Sequence, residues 1–111
     1  MNLKFGVPCS QLKNEIQDVD IFCVNEEQAF GLAAGCILCG KDPTVYLQNS
    51  GLLRCGDILT SLYVAYDLPF PHILLSIRNS PKHHEKAGKI TKSFLDLIGC
   101  YKVQMIEQKV I

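Results

Sequence analysis

Short apolar segments alternate with longer helical segments along the chain, and this alternation restricts the fold more than any other feature. Five segments rich in apolar or β-branched residues have the length of strands: 3–7, 19–24, 43–48, 72–77 and 101–106. The fourth, HILLSI, is apolar almost throughout, which is typical of strands buried in a parallel sheet. Repeated strand–helix–strand units predict a mostly parallel sheet with helices on both faces, a three-layer α/β/α fold of flavodoxin-like or Rossmann-like shape.

The segments between the strands predict helices with recognisable ends. Asn25 is a suitable N-cap for a helix to about Cys39, which Gly40 closes. The other predicted helices cover residues 11–17, 49–66 and 87–98. The prolines at positions 69 and 71 end the third of these four helices, and the glycine at position 99 ends the last.

Length and charge exclude several classes of protein. The chain has 111 residues, of which 48% are hydrophobic, so we expect a single folded domain over residues 1–111. Its 11 basic and 11 acidic side chains balance, which gives no general attraction to nucleic acid or acidic membranes. No apolar run approaches the ~20 residues of a membrane span, and the stretch MNLKFGVPCSQLK has no signal-peptide core, so we expect no signal peptide. We therefore expect a soluble, cytoplasmic protein.

The six cysteines do not suggest a disulfide framework. They lie in apolar or helical segments of a chain that can form a large core, so free thiols are expected. Cys36 and Cys39 form a C-x-x-C, but inside a predicted helix and without a second pair of ligands. We predict ordinary small buried residues here rather than a metal or redox site, and no metal ligands in this chain.

Polar residues follow the predicted strands, where ligands bind in parallel sheets. Residues 7–10, 25–28, 48–51 and the loop after residue 77 would meet at the carboxyl edge of the sheet. The helix after Asn25 is rich in small residues, including Gly31 and Gly35. Glycine inside a helix costs roughly 1 kcal/mol relative to alanine, so these positions need a reason. Tight packing on the sheet is one explanation, and close approach by a neighbouring helix, a partner subunit or a ligand is the other.

Several motifs, taken together and in order, resemble the pyrimidine-binding half of thiamine-diphosphate enzymes. They are VPCSQLK, NEEQAFGLAAG, VYLQNSGL, LTSLYVAYDLP and GKITKSFLDLIG, and the resemblance covers about residues 6–99. The likeness is to the alpha subunit of sulfopyruvate decarboxylase and to phosphonopyruvate decarboxylase. The combination of motifs is specific, whereas any one of them alone would be weak evidence for the resemblance.

The resemblance implies a role for the acid at the start of the helix. Glu26 would hydrogen-bond the aminopyrimidine ring of thiamine diphosphate and share a proton with it, which activates the cofactor. Burial would favour its protonated form and the helix N-terminus its charged form, and the sequence does not decide between them. Glu27 is expected to be a solvated first-turn acid or a subunit contact. Asn49, Ser50 and Gly51 are further candidates for cofactor binding.

The resemblance also implies a partner. In the family, a second domain with a GDG motif holds the diphosphate and Mg²⁺, and this chain has no GDG, because Gly56-Asp57 is followed by Ile58. We expect a beta subunit to carry that domain, in a hetero-oligomer with the cofactor at the interface.

The implied reaction is decarboxylation of a small anionic 2-oxo acid, 3-sulfopyruvate or 3-phosphonopyruvate, to the aldehyde. For the sulfonate, the product would be a precursor in coenzyme M biosynthesis. Binding its anionic groups needs cationic or N–H donors. Candidate catalytic residues beside Glu26 are His83 and His84, and candidate substrate-binding residues are Ser10, Gln48, Arg54 and Arg78.

Other functions remain open at this level. The loop after Arg78 is shorter than the family's, which would suit a non-catalytic or regulatory subunit. A thiamine-dependent acyl-transfer half with another substrate is a second alternative. A free-standing binder of small molecules is a third. Retention of Glu26 favours the enzyme subunit.

Overall fold

One parallel sheet organises the chain. The computed structural model describes residues 2–7, 19–77 and 85–107. Its five strands are β1 (Lys4–Gly6), β2 (Ile21–Phe22), β3 (Thr44–Gln48), β4 (His72–Ile77) and β5 (Val103–Glu107). They pair in parallel in the order β2-β1-β3-β4-β5. The predicted α/β fold with a parallel sheet is confirmed.

The helices follow the predicted plan with one interruption. They are α1 (Glu26–Leu38), α2 (Asn49–Arg54), α3 (Gly56–Ile58), a π-helix (Leu59–Val64) and α4 (Glu85–Ile98). The single helix predicted over residues 49–66 is wrong, since it breaks at Cys55 and widens into the π-helix. The Thr60 hydroxyl donates to the Gly56 carbonyl at 2.7 Å, a bond that competes with the main chain and distorts helices. The predicted helix over residues 11–17 lies outside the described residues.

The main core lies between one face of the sheet and the helices. Alternate residues of β1, β3 and β4 point to this face, because side chains alternate along a strand. They pack against the apolar residues of α1, α2, the π-helix and α4. The largest fully buried side chains of this core are Phe5, Val45, Leu47, Ile73, Leu75, Ile77, Phe30, Leu52, Leu59 and Tyr63. The Tyr63 hydroxyl donates to the Phe30 carbonyl at 2.6 Å, which satisfies the polar end of this ring.

The opposite face of the sheet carries a smaller apolar cluster. Tyr46 and Leu74 are its buried residues, with Val19 and Ile106 packed against them. The described helices therefore occupy one outer layer of the three-layer fold.

Both edge strands differ from the predicted bounds. β2 has two residues rather than six, because its only partner among the described strands is β1, which itself has three. β5 is displaced toward the C-terminus relative to residues 101–106 and pairs with β4 from Val103. No helix of the described residues is long and apolar enough to cross a membrane.

Candidate functional site

The carboxyl edge of the sheet has a switch point between β1 and β3. The chain leaves β1 toward β2 on one side and leaves β3 toward β4 on the other. In open parallel sheets, the crevice at such a point is the usual ligand site. The start of α2 follows β3 directly at this edge, and α1 begins shortly after β2.

Two reciprocal hydrogen bonds fix the beginning of α1. Asn25 Oδ1 accepts from the Gln28 N–H at 2.8 Å, as predicted for an N-cap. The side chain of Gln28 returns to accept from the Val24 N–H, also at 2.8 Å. This arrangement resembles a capping box and holds Glu26, the first residue of the helix, in a defined place.

The Glu26 side chain lies against the backbone of Gly51. A Cβ added at Gly51 would be 2.5 Å from both Cγ and Cδ of Glu26, far inside ordinary contact. Glu26 is half-buried, and its carboxylate makes no hydrogen bond or ion pair with another residue of the described part. The structure thus brings together two residues predicted for the cofactor site, and glycine at position 51 leaves the carboxylate its room.

The carboxylates of α1 act on a neighbouring thiol. Burial raises the pKa of Cys55 to about 12, with further increases from Glu26 and then Glu27, and a smaller opposing effect of Arg54. Cys55 is fully buried. It therefore remains a neutral thiol at physiological pH. Its role is that of a buried packing residue near Glu26 rather than a nucleophile.

The three residues predicted to bind cofactor at the start of α2 have different surroundings. Ser50 is exposed and Gly51 is buried against Glu26. Asn49 is 1% exposed, and its Nδ2 donates to Thr91 Oγ1 at 3.4 Å. This bond joins α2 to α4, so Asn49 has a structural contact, and its cofactor contact stays a prediction.

Gln48 and Ser76 are neighbours at the ends of β3 and β4. They are register partners across the two strands, and both lie on the face that carries Tyr46 and Leu74. Gln48, a predicted substrate contact, is half-buried. Ser76 was not among the predicted site residues. The signal that could have indicated it is the single polar residue inside the apolar run HILL-S-I.

Arg54 lies in a cleft on the helical side of the edge. The cleft has a volume of about 450 Å³ and is bounded by Glu27, Arg54, Asp57 and Ser61. Glu27 is exposed, as predicted. Because two carboxylates surround one guanidinium, the field here does not favour an anion. A substrate contact by Arg54 remains a prediction that this charge balance weakens.

The remaining predicted site residues fall outside the described part of the chain. They are Ser10, Arg78, His83 and His84, and their roles stay predictions. Among residues 2–7, 19–77 and 85–107, no group of three or more His, Cys, Asp or Glu side chains could hold a metal ion. Cys23, Cys36, Cys39, Cys55 and Cys100 are free thiols. Cys39 is exposed, contrary to the prediction that it is buried.

The two helical glycines of α1 do not pack on the sheet. A Cβ at Gly31 or Gly35 would meet no atom within 4 Å, and both residues are exposed. The residues that pack closely are alanines, with Ala29 and Ala33 fully buried. Of the two explanations for the small residues, sheet packing is wrong for these glycines, and close approach by a neighbouring helix, a partner subunit or a ligand stays a prediction.

Comparison with known proteins gives the chain its relatives. No protein-family model matches it. The alpha subunit of sulfopyruvate decarboxylase from Methanocaldococcus jannaschii is 31% identical over 116 residues, a match that covers 93% of this chain and 68% of that protein. The chain belongs to the family of sulfopyruvate decarboxylase alpha subunits. The expected resemblance is confirmed.

Other sulfopyruvate decarboxylase sequences match over shorter regions. The alpha subunit from Methanothermobacter thermautotrophicus is 36% identical over 76 aligned residues, in a match that covers 62% of this chain. The chain spans about half of that protein, 46% of its length. A protein from Methanosarcina acetivorans named sulfopyruvate decarboxylase, without a subunit designation, is 34% identical over 83 residues. That match covers 70% of this chain and 21% of that protein.

Proposed function

We propose that this chain is the pyrimidine-binding alpha subunit of a thiamine-diphosphate-dependent decarboxylase that acts on 3-sulfopyruvate. The observation that carries the proposal is the placement of Glu26 against Gly51 at the switch point of the sheet. Membership of the sulfopyruvate decarboxylase alpha-subunit family supports the substrate. 3-Phosphonopyruvate has the same 2-oxo acid core and serves as the competing substrate in the test below.

The residues present fit the aminopyrimidine end of the cofactor. A half-buried carboxyl with no hydrogen-bond partner among the described residues can bond a ligand without giving up a contact to those residues. Glu26 meets this description, and the missing Cβ of Gly51 gives it space. When bound, thiamine diphosphate supplies the nucleophilic carbon and the electron sink that decarboxylation needs.

The role of this chain is to place groups and to hold protons. With the cofactor bound, Glu26 would share a proton with its ring nitrogen, and general acid–base catalysis of this kind contributes roughly 10²–10⁴ in rate. The capped start of α1 keeps this carboxylate in place, since Asn25 and Gln28 hold the helix terminus on both sides. Gln48, at the end of β3, offers an amide to the anionic substrate.

A partner beta subunit completes the site in this proposal. The chain contains no GDG sequence, so the diphosphate and Mg²⁺ would be held by the other subunit. The name "subunit alpha" in the relatives supports a partner. The Methanosarcina protein offers further support, because only about one fifth of it corresponds to this chain. The open glycines of α1 supply a surface that another chain can approach closely.

Reconstitution with a partner tests the proposal. This chain would be co-expressed with a beta subunit that carries a GDG motif, and carbon dioxide release from 3-sulfopyruvate and 3-phosphonopyruvate would be measured with thiamine diphosphate and Mg²⁺. We expect turnover of the sulfonate. Glu26→Gln should reduce kcat by about 10²-fold or more while the complex still assembles.

Glu27→Gln is the matched control. It removes the same charge from the same helical turn, but at an exposed position, and we expect near-normal turnover. Equal rates for the wild type and the Glu26→Gln variant would refute the assignment of Glu26. Absence of turnover of both acids by an assembled, cofactor-loaded complex would refute the decarboxylase itself.

A further inference from the structure

Ser76 carries an unusual hydroxyl. Its Oγ is the one buried side-chain oxygen or nitrogen in the described part of the chain that has no hydrogen-bond partner. The residue is 0% exposed and lies in the strand HILLSI, where every neighbour along the chain from Ile73 to Ile77 is apolar. Buried polar groups are nearly always paired, so an unpaired one needs a reason. Alanine would suit the strand equally well, and folding alone does not explain the hydroxyl.

The nearest polar side chain in the sheet is Gln48. The two residues are register partners of parallel strands and point to the same face, so their Cα atoms are ~4.8 Å apart. Gln48 is half-buried, and its amide makes no hydrogen bond with another described residue. A hydroxyl and an amide, each able to donate and accept, therefore stand side by side without partners.

Burial decides which of the two meets a bound molecule. Ser76 is enclosed, whereas Gln48 keeps part of its surface accessible at the carboxyl edge. Gln48 is also the residue directly before α2, whose Gly51 contacts Glu26. A ligand at this edge would contact the amide, and the hydroxyl would lie behind it.

We propose that Ser76 is a positioning residue that holds the Gln48 amide toward an anionic 2-oxo acid bound at the carboxyl edge of the sheet. When the anion binds, the hydroxyl donates to Gln48 Oε1, which keeps Nε2 turned outward. An outward NH₂ group donates to a carboxylate or sulfonate oxygen, whereas an outward carbonyl would repel it. This inference rests on the proposed function, because it assigns Ser76 to the substrate side of the same site.

A double-mutant cycle in the assembled complex tests the proposal. Ser76→Ala should raise KM for 3-sulfopyruvate about three- to tenfold, the factor that one ordinary hydrogen bond is worth, with kcat within about twofold. Gln48→Ala should raise KM similarly or more. Adding Ser76→Ala to Gln48→Ala should have no further effect, because the hydroxyl acts only through the amide.

Two further readouts separate positioning from a purely structural role. The thermal midpoint of the Ser76→Ala chain should not fall, since an unpaired hydroxyl contributes nothing to folding. The dissociation constant of 3-sulfopropionate, an unreactive anion with carboxylate and sulfonate groups, should rise by the same factor as KM in calorimetric titration. Ser76→Thr, which restores the hydroxyl, should recover binding. If the alanine variant fails to assemble, Ser76→Cys, which keeps the volume and weakens the donor, replaces it in the cycle.

The outcomes distinguish this proposal from the proposed function. Ser93→Ala, on the exposed side of α4, is the control and should change nothing. A wild-type complex that turns over 3-sulfopyruvate, with unchanged KM in the Ser76 variant or additive effects in the cycle, overturns the role of Ser76 alone. A wild-type complex that neither binds 3-sulfopropionate nor decarboxylates 3-sulfopyruvate overturns both.

Discussion

Replacement of Gly51 by alanine is the sharpest test of the site geometry. The new Cβ would lie 2.5 Å from Cγ and Cδ of Glu26, whereas ordinary van der Waals contact begins at 3.4 Å. One of the two groups must therefore move by about 0.9 Å, the difference between these distances. The Glu26 side chain should move rather than the backbone, because it has no hydrogen bond in the described part to lose.

The expected effect on folding is small. Gly51 is the third residue of α2 and does not have a positive φ, so alanine fits the backbone. Alanine in a helix is favoured over glycine by roughly 0.5–1 kcal/mol, which offsets the energetic cost of rotating the Glu26 side chain. We expect the free energy of unfolding in urea to stay within about 1 kcal/mol of the wild type.

The expected effect on turnover is large. A displacement of about 1 Å in a group that acts on the reacting centre can cost ~10²-fold. In the complex with the beta subunit, Gly51→Ala should therefore lower kcat for 3-sulfopyruvate by about 10²-fold. Gly56→Ala is the matched control, because its Cβ would meet no atom within 4 Å. We expect its turnover to be normal.

Two results would refute this reasoning. If Gly51→Ala kept normal turnover, the position of Glu26 beside Gly51 would not matter for the chemistry. If Gly51→Ala lost several kcal/mol of stability, the Glu26 side chain could not move without disrupting the fold. Its role would then be structural. Gly51→Ala combined with Glu26→Gln should be no slower than Glu26→Gln alone, since both changes remove the same group from the site.

Two further predictions concern the surface of α1 and the buried thiol. Gly31→Ala and Gly35→Ala should each stabilise the isolated chain by about 0.5–1 kcal/mol in urea unfolding, because the helix gains propensity and the Cβ meets nothing. The same changes should weaken binding of the beta subunit in analytical ultracentrifugation, and unchanged affinity would show that the partner does not approach this face closely. Burial and the nearby carboxylates raise the pKa of Cys55 to about 12, so the folded chain keeps a proton that the unfolded chain loses near pH 9. The stability from this thiol should be full below about pH 9 and decline as pH rises toward 12, a decline that Cys55→Ala should reduce in urea unfolding series. Iodoacetamide at pH 8 should label the exposed Cys39 and spare Cys55 in mass spectrometry, and equal labelling would contradict the burial.

The sequence determined the elements whose signals are local. The bounds of β4 match the apolar run HILLSI, and α1 begins after Asn25 and ends before Gly40, which has φ +77°. An apolar run, an N-cap and a left-handed glycine act through residues close in sequence, so they can be recognised without the fold. The parallel sheet followed from their alternation, because parallel strands need crossover connections.

Local signals failed where distant segments decide the outcome. The length of β2 depends on β1, its only partner among the described strands, and a short partner permits only a short ladder. The widening of the helix after Cys55 depends on a choice between i→i−4 and i→i−5 bonds, which helical periodicity does not distinguish. The open environment of Gly31 and Gly35 depends on which face of α1 meets the sheet. After its first turn this helix is apolar on all sides, so its sequence leaves that face undetermined.

For the site, the sequence and its family resemblance supplied residue types, and tertiary structure supplied their neighbours. Glu26, Gly51 and Gln48 could be proposed from motifs, but the contact between Glu26 and Gly51 exists only because parallel pairing brings the ends of separate strand–helix units to one edge. The run HILLSI marks Ser76 as a polar residue in an apolar strand, but only the β3–β4 register places it beside Gln48. Register is fixed by the packing of whole faces rather than by any single residue, and this is why sequence alone could not give it.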